Sequence, residues 1–347
     1  MDNDNKKTKE APKIIHENEG HILELIDEDV QSVNAFRSQF KEESSPVVRN
    51  NEVKIEKEKE EPTTKKETFN ENGKRKIDLQ HSKVLKDVDE TQFRQYQKAK
   101  YRVRNFYKEQ HEKQTMAYNL QARINFKTKK RASMPIWTAL CKLSKLIDDS
   151  DPDTELSQID HAIQTAEAIR ADGKPRWMQL VGLIHDLGKI LYFFDSEGQW
   201  DVVGDTFPVG CEFSKDIIFH EFFKNNPDFN HPIYSSKYGI YEPHCGLKAL
   251  MLSWGHDEYM YYIAKGQSTF NDQALAMIRY HSFYPWHRED AYRHLMCDDD
   301  YRILEVVRDF NKYDLYSKSD LRYDLAEIKP YYLELIEEFF PNELVDF

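Results

Sequence analysis

Apolar residues recur about every three to four positions over the larger, C-terminal part of the chain, a spacing typical of amphipathic helices. The segments with this spacing are FRQYQKAKYRVRNFYKEQHEKQT, MPIWTALCKLSKLIDD, DHAIQTAEAIRAD, WMQLVGLIHDLGKILYFF, CGLKALMLSWGHDEYMYYIAK, NDQALAMIRYHSFY, LEVVRDFNKYDLYSK and LAEIKPYYLELIEEFF. We expect Asp160 to cap the helix that starts at His161, and Pro285 to end the helix that carries His281.

Only the segment WDVVGDTFPV, from Trp200 to Val209, has an extended pattern. No alternation of apolar and polar residues is long enough to indicate a larger sheet. The pattern therefore predicts an all-α helical bundle with one short extended or hairpin element.

The first 90 residues do not follow the helical pattern. They mix both charge signs, as in KIEKEKEEPTTKKE, and contain no Trp or Tyr, although the chain has 5 Trp and 20 Tyr. Such a segment cannot bury enough apolar surface to offset its chain entropy, so we predict that residues 1–90 are a disordered extension. Within it, HILELIDEDVQSVNAF has apolar residues near helical spacing, which favours a transient solvated helix over a docking helix. Residues 91–347 are then expected to form one domain with a single core.

Charge and composition exclude several classes of protein. The net charge is −12 and no basic stripe is interleaved with aromatic residues, so we expect neither nucleic acid nor an anionic membrane as a partner. The most apolar run, LVGLIHDLGKILYFF, contains His185, Asp186 and Lys189 and cannot span a membrane, and the N-terminus has no apolar signal segment. The 4 Cys have no CxxC spacing, which predicts a reducing, cytoplasmic location without disulfides. The oligomeric state stays open, with a monomer expected.

A set of histidines and aspartates lies within the helical segments. Its members are His161, His185, Asp186, His256, His281 and Asp314. A single His on an apolar helix is usually an ordinary core residue, but burying so many polar groups costs several kcal/mol each unless they are paired. A metal site pairs them together. Adjacent helical residues point about 100° apart, so Asp186 can bridge to a second ion while His185 binds one. The set is too large for one catalytic ion with open positions, and imidazole and carboxylate without thiolate favour iron or manganese.

The arrangement H…HD…H…H…D resembles the HD-domain superfamily, whose helical members hold one or two metals and are mostly phosphohydrolases. Longer sequence segments are more specific to one family than this pattern is. SDPD, HAIQTAEAIR, LVGLIHDLGK, WDVVGDTFPVGC, GIYEPHCGL, MLSWGHDEYMY, IRYHSFYPWH, FNKYDLYSK and KPYYLELI follow one another from about Phe93 to the C-terminus. Together they resemble the myo-inositol oxygenase family.

That resemblance implies an HD-domain-like enzyme with two iron ions in a mixed-valent Fe(II)/Fe(III) state. It would cleave the ring of myo-inositol with O2 and give D-glucuronate. The resemblance implies that one iron is held by His161, His185 and Asp314, that His256 and His281 hold the second, and that Asp186 bridges the two.

The same resemblance implies a set of residues that contact the polyol, with Lys189 and Asp186 also catalytic. The set is Arg94, Asp148, Asp149, Ser150, Lys189, Gly204, Asp205, His281, Ser282 and Lys318. Asp149 stands where the family has Glu. Lys189 lies one turn after His185, where its charge would repel metal cations. It either extends into solvent from a buried stem or contacts a substrate oxygen, and the resemblance favours substrate contact.

Two alternatives belong to other classes. An HD-type metal-dependent phosphohydrolase would need several Arg or Lys around the metals, and only Lys189 and Lys318 clearly qualify. A helical interaction module with a metal-stabilised core would have no use for Lys189 beside the ligands.

Overall fold

The structure is a computed structural model that describes residue 79 and residues 82–86, 88–89, 93–152, 156–318 and 322–347. Most of the predicted disordered extension, residues 1–90, lies outside the described residues, as does the helical pattern in HILELIDEDVQSVNAF. The part that is described is packed, because Leu79 and Leu85 are buried in the main core. Ordered packing therefore begins before the predicted boundary at residue 91.

Helices dominate the described residues, so the predicted all-α class is confirmed. The α-helices are α1 (Tyr101–Lys113), α2 (Met116–Thr128), α3 (Ile136–Leu143), α4 (Gln158–Ala171), α5 (Arg176–Ile184), α6 (His256–Gln267), α7 (Asp272–Tyr280), α8 (Tyr284–His287), α9 (Asp298–Tyr316) and α10 (Leu325–Phe339). Short 3-10 helices cover Tyr96–Lys98, Leu187–Phe193, His220–Asn225, Pro227–Asn230, Leu247–Ala249 and Arg293–Leu295. None of the helices in the described part of the chain is long and apolar enough to cross a membrane.

The extended structure differs from the prediction. The strands are β1 (Ser133–Met134) and β2 (Val345–Asp346), which pair antiparallel with Ser133 opposite Asp346. The predicted extended segment around Val203 forms only an isolated bridge, between Pro208 and Leu252. Its apolar residues are buried by packing among helices rather than by strand pairing.

Several helix boundaries also differ from the predicted ones. Helix α4 starts at Gln158 rather than His161, because the Ser157 side chain, not that of Asp160, accepts the capping hydrogen bond. Helix α7 ends at Tyr280, and Pro285 lies in the first turn of α8, where its missing N–H costs nothing. Helix α2 was not predicted at all, since its buried face is partly polar and includes Asn119.

Helix α5 lies at the centre of the bundle and packs on α4, α7, α9 and α10. Its residues Leu180, Val181, Leu183 and Ile184 have no solvent exposure. The predicted long helix WMQLVGLIHDLGKILYFF breaks after Ile184 and continues as the 3-10 helix Leu187–Phe193. The break places the HD dyad inside the protein at the end of its most buried helix.

Gly188 follows this break and lets two backbones meet. A Cβ atom at Gly188 would overlap the carbonyl oxygen and carbon of His256, at the start of α6. Only glycine allows such an approach of backbone to backbone. The 3-10 helix and α6 are thereby held in direct contact.

We expect Gly188→Ala to destabilise the protein by about 1–3 kcal/mol, because backbone must shift to admit the methyl group. Gly266→Ala is the matched control, since nothing lies within 4 Å of a Cβ there and alanine favours helix α6. Thermal unfolding followed by circular dichroism measures both. A Gly188→Ala protein as stable as the Gly266→Ala protein would contradict the close approach.

Candidate functional site

The structure brings the six sequence-predicted metal ligands together at the ends of five helices. His161 lies in the first turn of α4, His185 follows the last residue of α5, His256 begins α6, His281 follows α7, Asp314 lies in the last turn of α9, and Asp186 precedes the 3-10 helix Leu187–Phe193. All of them are buried. Residues distant in sequence thus present their polar atoms to one interior point.

Asp186 lies between two pairs of histidines and faces each pair with a different oxygen. Its Oδ2 is 3.6 Å from Nε2 of His161 and 3.6 Å from Nε2 of His185. Its Oδ1 is 3.3 Å from Nε2 of His256 and 3.5 Å from Nε2 of His281. A carboxylate in this position can be shared by two cations.

A second carboxylate completes the first of these two groups. Asp314 Oδ1 is 3.0 Å from Nε2 of His161 and 3.3 Å from Nε2 of His185. We call His161, His185 and Asp314 the first half-site, and His256 with His281 the second half-site. In the second half-site the two Nε2 atoms are 3.2 Å apart.

The imidazole rings are oriented by backbone carbonyls. The Nδ1 atom of His185 donates to the carbonyl oxygen of Gly182 at 2.9 Å. In the same way, Nδ1 of His256 donates to Val202 at 2.8 Å, and Nδ1 of His281 donates to Ile278 at 2.9 Å. With the proton on Nδ1, a neutral imidazole points its Nε2 lone pair at the carboxylates. Lone pairs facing carboxylates repel unless a cation lies between them, so the donor set fits a bound metal.

The electrostatics of the site also call for positive charge. Burial alone would raise the pKa of Asp186, but Lys189 and His185 hold it well below its usual range. Burial likewise opposes ionisation of Asp314, yet the adjacent imidazoles of His161 and His185 hold its pKa well below its usual range. Burial lowers the pKa of His256, but the carboxylates of Asp257 and Asp186 outweigh it and raise that pKa to about 10. Buried carboxylates this close require cations, supplied either by protons on imidazole or by metal ions.

A cavity opens beside the two half-sites and is lined by most of the predicted substrate residues. These are Arg94, Asp148, Ser150, Lys189, Gly204, Asp205, His281, Ser282 and Lys318. Asp149 is the exception. Its side chain turns away from the cavity, with Oδ1 3.4 Å from Nε of Arg102, while its N–H donates to Gln199. Alternate residues of this loop therefore face opposite sides, and a contact of Asp149 with substrate stays a prediction that this side-chain direction does not support.

Lys189 joins the predicted metal ligands to the loop that carries Asp148 and Ser150. Its Nζ is 2.9 Å from Asp186 Oδ2, 2.8 Å from Asp148 Oδ2 and 3.1 Å from Gln158 Oε1. Burial alone would lower the pKa of Lys189, but the two carboxylates raise it above its ordinary value. Asp148 in turn accepts from the N–H of Ser150 at 2.8 Å and from its hydroxyl at 2.5 Å. The ammonium is thus fixed within the cavity rather than extended into solvent.

The opposite wall of the cavity is built around Asp205. Arg94 NH2 lies 2.6 Å from Asp205 Oδ2, and its guanidinium stacks 3.4 Å from the centre of the Tyr284 ring. Tyr107 also donates to Asp205, at 3.2 Å. Gly204 has φ +92°, and a Cβ there would lie 2.6 Å from the Phe106 ring. Glycine is therefore required beside Asp205.

Sequence reasoning missed several residues of this region. Gln158, Tyr107 and Tyr284 line the cavity, and Asp257 has an oxygen 2.8 Å from Nε2 of His256. The tyrosines gave no separate signal because aromatic residues are expected in any core. Asp257 did give one, since it follows His256 as Asp186 follows His185.

Comparisons with known proteins agree with this geometry. The family model described as Myo-inositol oxygenase matches residues 100–347. Inositol oxygenase 1 of Arabidopsis thaliana is 49% identical over 246 residues, which is 70% of this chain and 79% of that protein. Inositol oxygenase of Dictyostelium discoideum is 45% identical over 268 residues, which is 75% of this chain and 91% of that protein. Inositol oxygenase of Danio rerio is 43% identical over 263 residues, which is 74% of this chain and 94% of that protein. The resemblance drawn from the sequence is confirmed, and the chain belongs to the myo-inositol oxygenase family.

Proposed function

We propose that this protein is a di-iron oxygenase that cleaves the ring of myo-inositol with O2 and releases D-glucuronate. Membership of the family supports the reaction. The observation that carries the two-metal assignment is the position of Asp186, whose two oxygens face separate pairs of histidines. One ion would use only one side of this carboxylate.

The first half-site would hold one iron, the second half-site would hold the other, and Asp186 would be shared. A bound iron pair supplies Lewis acidity toward substrate hydroxyls and exchanges electrons with O2, in the mixed-valent Fe(II)/Fe(III) state. The chain itself fixes the imidazole rings through the carbonyls of Gly182, Val202 and Ile278. It also encloses the centre, since every one of the predicted ligands is buried.

The charge balance of the cavity suits a neutral polyol. Each Lys or Arg that lines it contacts a carboxylate, in the pairs Arg94–Asp205 at 2.6 Å, Lys189–Asp148 at 2.8 Å and Lys318–Asp151 at 2.7 Å. A phosphate ester would need cations that are not already paired. Paired carboxylates and cations instead offer many directional acceptors and donors to hydroxyl groups, which favours the oxygenase over the phosphohydrolase.

Within this cavity Lys189 and Asp186 have the catalytic roles. The ammonium of Lys189 holds its proton between Asp186 and Asp148. We infer that a substrate oxygen replaces one of these acceptors, so that Lys189 stabilises the negative charge that develops on it. Asp148, Ser150, Asp205, Ser282 and Lys318 would orient the remaining hydroxyls.

Three further proposals concern the whole chain. We infer that residues 91–347 form the catalytic domain, which the family match over residues 100–347 supports. We infer a cytoplasmic location, which is supported by the free thiols of Cys141, Cys211, Cys245 and Cys297. A monomeric state, and the absence of nucleic-acid and membrane partners, stay predictions.

The reaction is tested by oxygen consumption of iron-loaded protein with myo-inositol. We expect inositol-dependent O2 uptake with formation of D-glucuronate and about two irons per chain. Phosphate release from nucleotides is measured on the same preparation. Phosphate release without inositol-dependent O2 uptake would reject the oxygenase in favour of the phosphohydrolase.

We expect Asp186→Ala to lose iron from both half-sites and all turnover, because the shared carboxylate is removed. Asp272→Ala makes the same chemical change at an exposed carboxylate and should keep both. Iron is counted by mass spectrometry and turnover by O2 uptake. Retention of two irons by Asp186→Ala would rule out the bridging role.

We expect Lys189→Ala to keep most of its iron while kcat falls roughly 10²–10³-fold, since a donor to the developing charge is lost. Lys312→Ala removes another lysine that is paired with an aspartate, Asp309, and should be nearly normal. Normal turnover in Lys189→Ala would show that its substrate role is wrong.

A further inference from the structure

Asp257 is a buried carboxylate that the proposed mechanism leaves without a role. It has 1% relative exposure and lies behind Ser282, which lines the cavity. Its Oδ1 is 2.8 Å from Nε2 of His256 and 3.5 Å from Nε2 of His281. Asp314 has closely similar distances to the histidines of the first half-site. Each half-site therefore has its own carboxylate in addition to the shared Asp186.

The two oxygens of Asp257 receive different donors. Oδ2 accepts the backbone N–H of Ser282 at 3.2 Å and the hydroxyl of Thr206 at 3.2 Å. Oδ1 accepts the Ser282 hydroxyl at 3.1 Å. Because the backbone N–H of Ser282 can only donate, it occupies Oδ2 of Asp257, and Oδ1 is left for the Ser282 hydroxyl.

The direction of the Ser282 hydroxyl follows from this arrangement. A serine hydroxyl has one hydrogen, and an ionised carboxylate can only accept. The other nearby polar atom, Nε2 of His256 at 3.2 Å, is a predicted metal donor whose lone pair would already be used. The hydrogen of Ser282 therefore points to Asp257, and the lone pairs of its oxygen are left for the cavity.

We propose that Asp257 is a positioning residue that makes Ser282 a hydrogen-bond acceptor toward the substrate. This rests on the proposed function, because the substrate is taken to be a polyol in this cavity. The substrate must then have a hydroxyl group that donates to the oxygen of Ser282. A fluorine, ether or carbonyl oxygen in its place leaves a buried acceptor without a donor, which weakens binding roughly tenfold.

The inference distinguishes the effects of two substitutions. Ser282→Ala removes the acceptor, so replacing the substrate hydroxyl that faces Ser282 no longer weakens binding. In Asp257→Asn the amide oxygen must stay toward the Ser282 N–H, because two donors cannot pair. The amide NH2 then faces the Ser282 oxygen and reverses its hydroxyl, which becomes a donor toward the cavity.

Anaerobic calorimetry on the iron-loaded full chain tests the proposal without turnover. The probes are myo-inositol and its mono-ketone analogues, each with one hydroxyl oxidised to a carbonyl oxygen, which accepts a hydrogen bond but cannot donate one. We expect one ring position at which the carbonyl weakens binding to the wild-type protein roughly tenfold, and at which that penalty disappears in both Ser282→Ala and Asp257→Asn. Asp300→Asn is the matched control, because Asp300 is also buried and accepts the backbone N–H of Leu247 and Cys297, outside the cavity. It should keep the wild-type pattern.

Each outcome decides the matter. A Ser282→Ala protein that keeps every wild-type penalty overturns the proposal, and so does a loss of the penalty in Ser282→Ala but not in Asp257→Asn. Iron content is measured for each variant, and loss of iron from Asp257→Asn would overturn the proposal, because Asp257 would then help to hold the metal rather than only position Ser282. Wild-type protein that binds no myo-inositol would overturn the proposed function as well, which separates the two failures.

Discussion

The shared burial of carboxylates and imidazoles at one point is the constraint on which the rest of this structure depends. Asp186 and Asp314 are inside the protein, and only Lys189 among the described cations contacts either of them. Buried carboxylates are stable only with compensating charge. The packing of the helices, and the close backbone approach that glycine allows, place the Nε2 atoms of the histidines next to these carboxylates. The same requirement fits a metal centre better than an ordinary polar core.

The ends of helices are suited to this task. His185 and His281 each follow the last residue of a helix and donate from Nδ1 to a carbonyl three residues earlier, of Gly182 and Ile278. A helix end leaves such carbonyls without partners, so one hydrogen bond both completes the helix and orients the ring. Nε2 then points beyond the helix axis. A single local geometry, used twice, supplies one ligand to each half-site.

The sequence predicted the fold class and the set of histidines and aspartates that the structure buries at one point, because polar residues in apolar helices are a strong signal. The sequence could not predict the direction of individual loop side chains, because that direction depends on the path of the backbone. Asp149 was expected to contact substrate with its neighbours, but consecutive loop residues face opposite sides, and its side chain turns to Arg102. Helix α2 was missed because its buried Asn119 forms hydrogen bonds with Gln114 and with the backbone of Trp254 rather than an apolar contact. Pattern reasoning detects burial of apolar surface better than burial of satisfied polar groups.

A histidine–aspartate dyad on helices does not determine the reaction, since hydrolysis and oxygenation can both use it. The charged side chains that line the cavity distinguish the two reactions. Hydrolysis of a phosphate ester needs surplus cations, whereas here the carboxylates of Asp148, Asp151 and Asp205 pair with the cations of the cavity. Pairing removes the attraction for an anion and leaves directional hydrogen-bonding groups in place. Substrate class in this bundle is therefore determined by the residues around the metal ligands rather than by the ligands themselves.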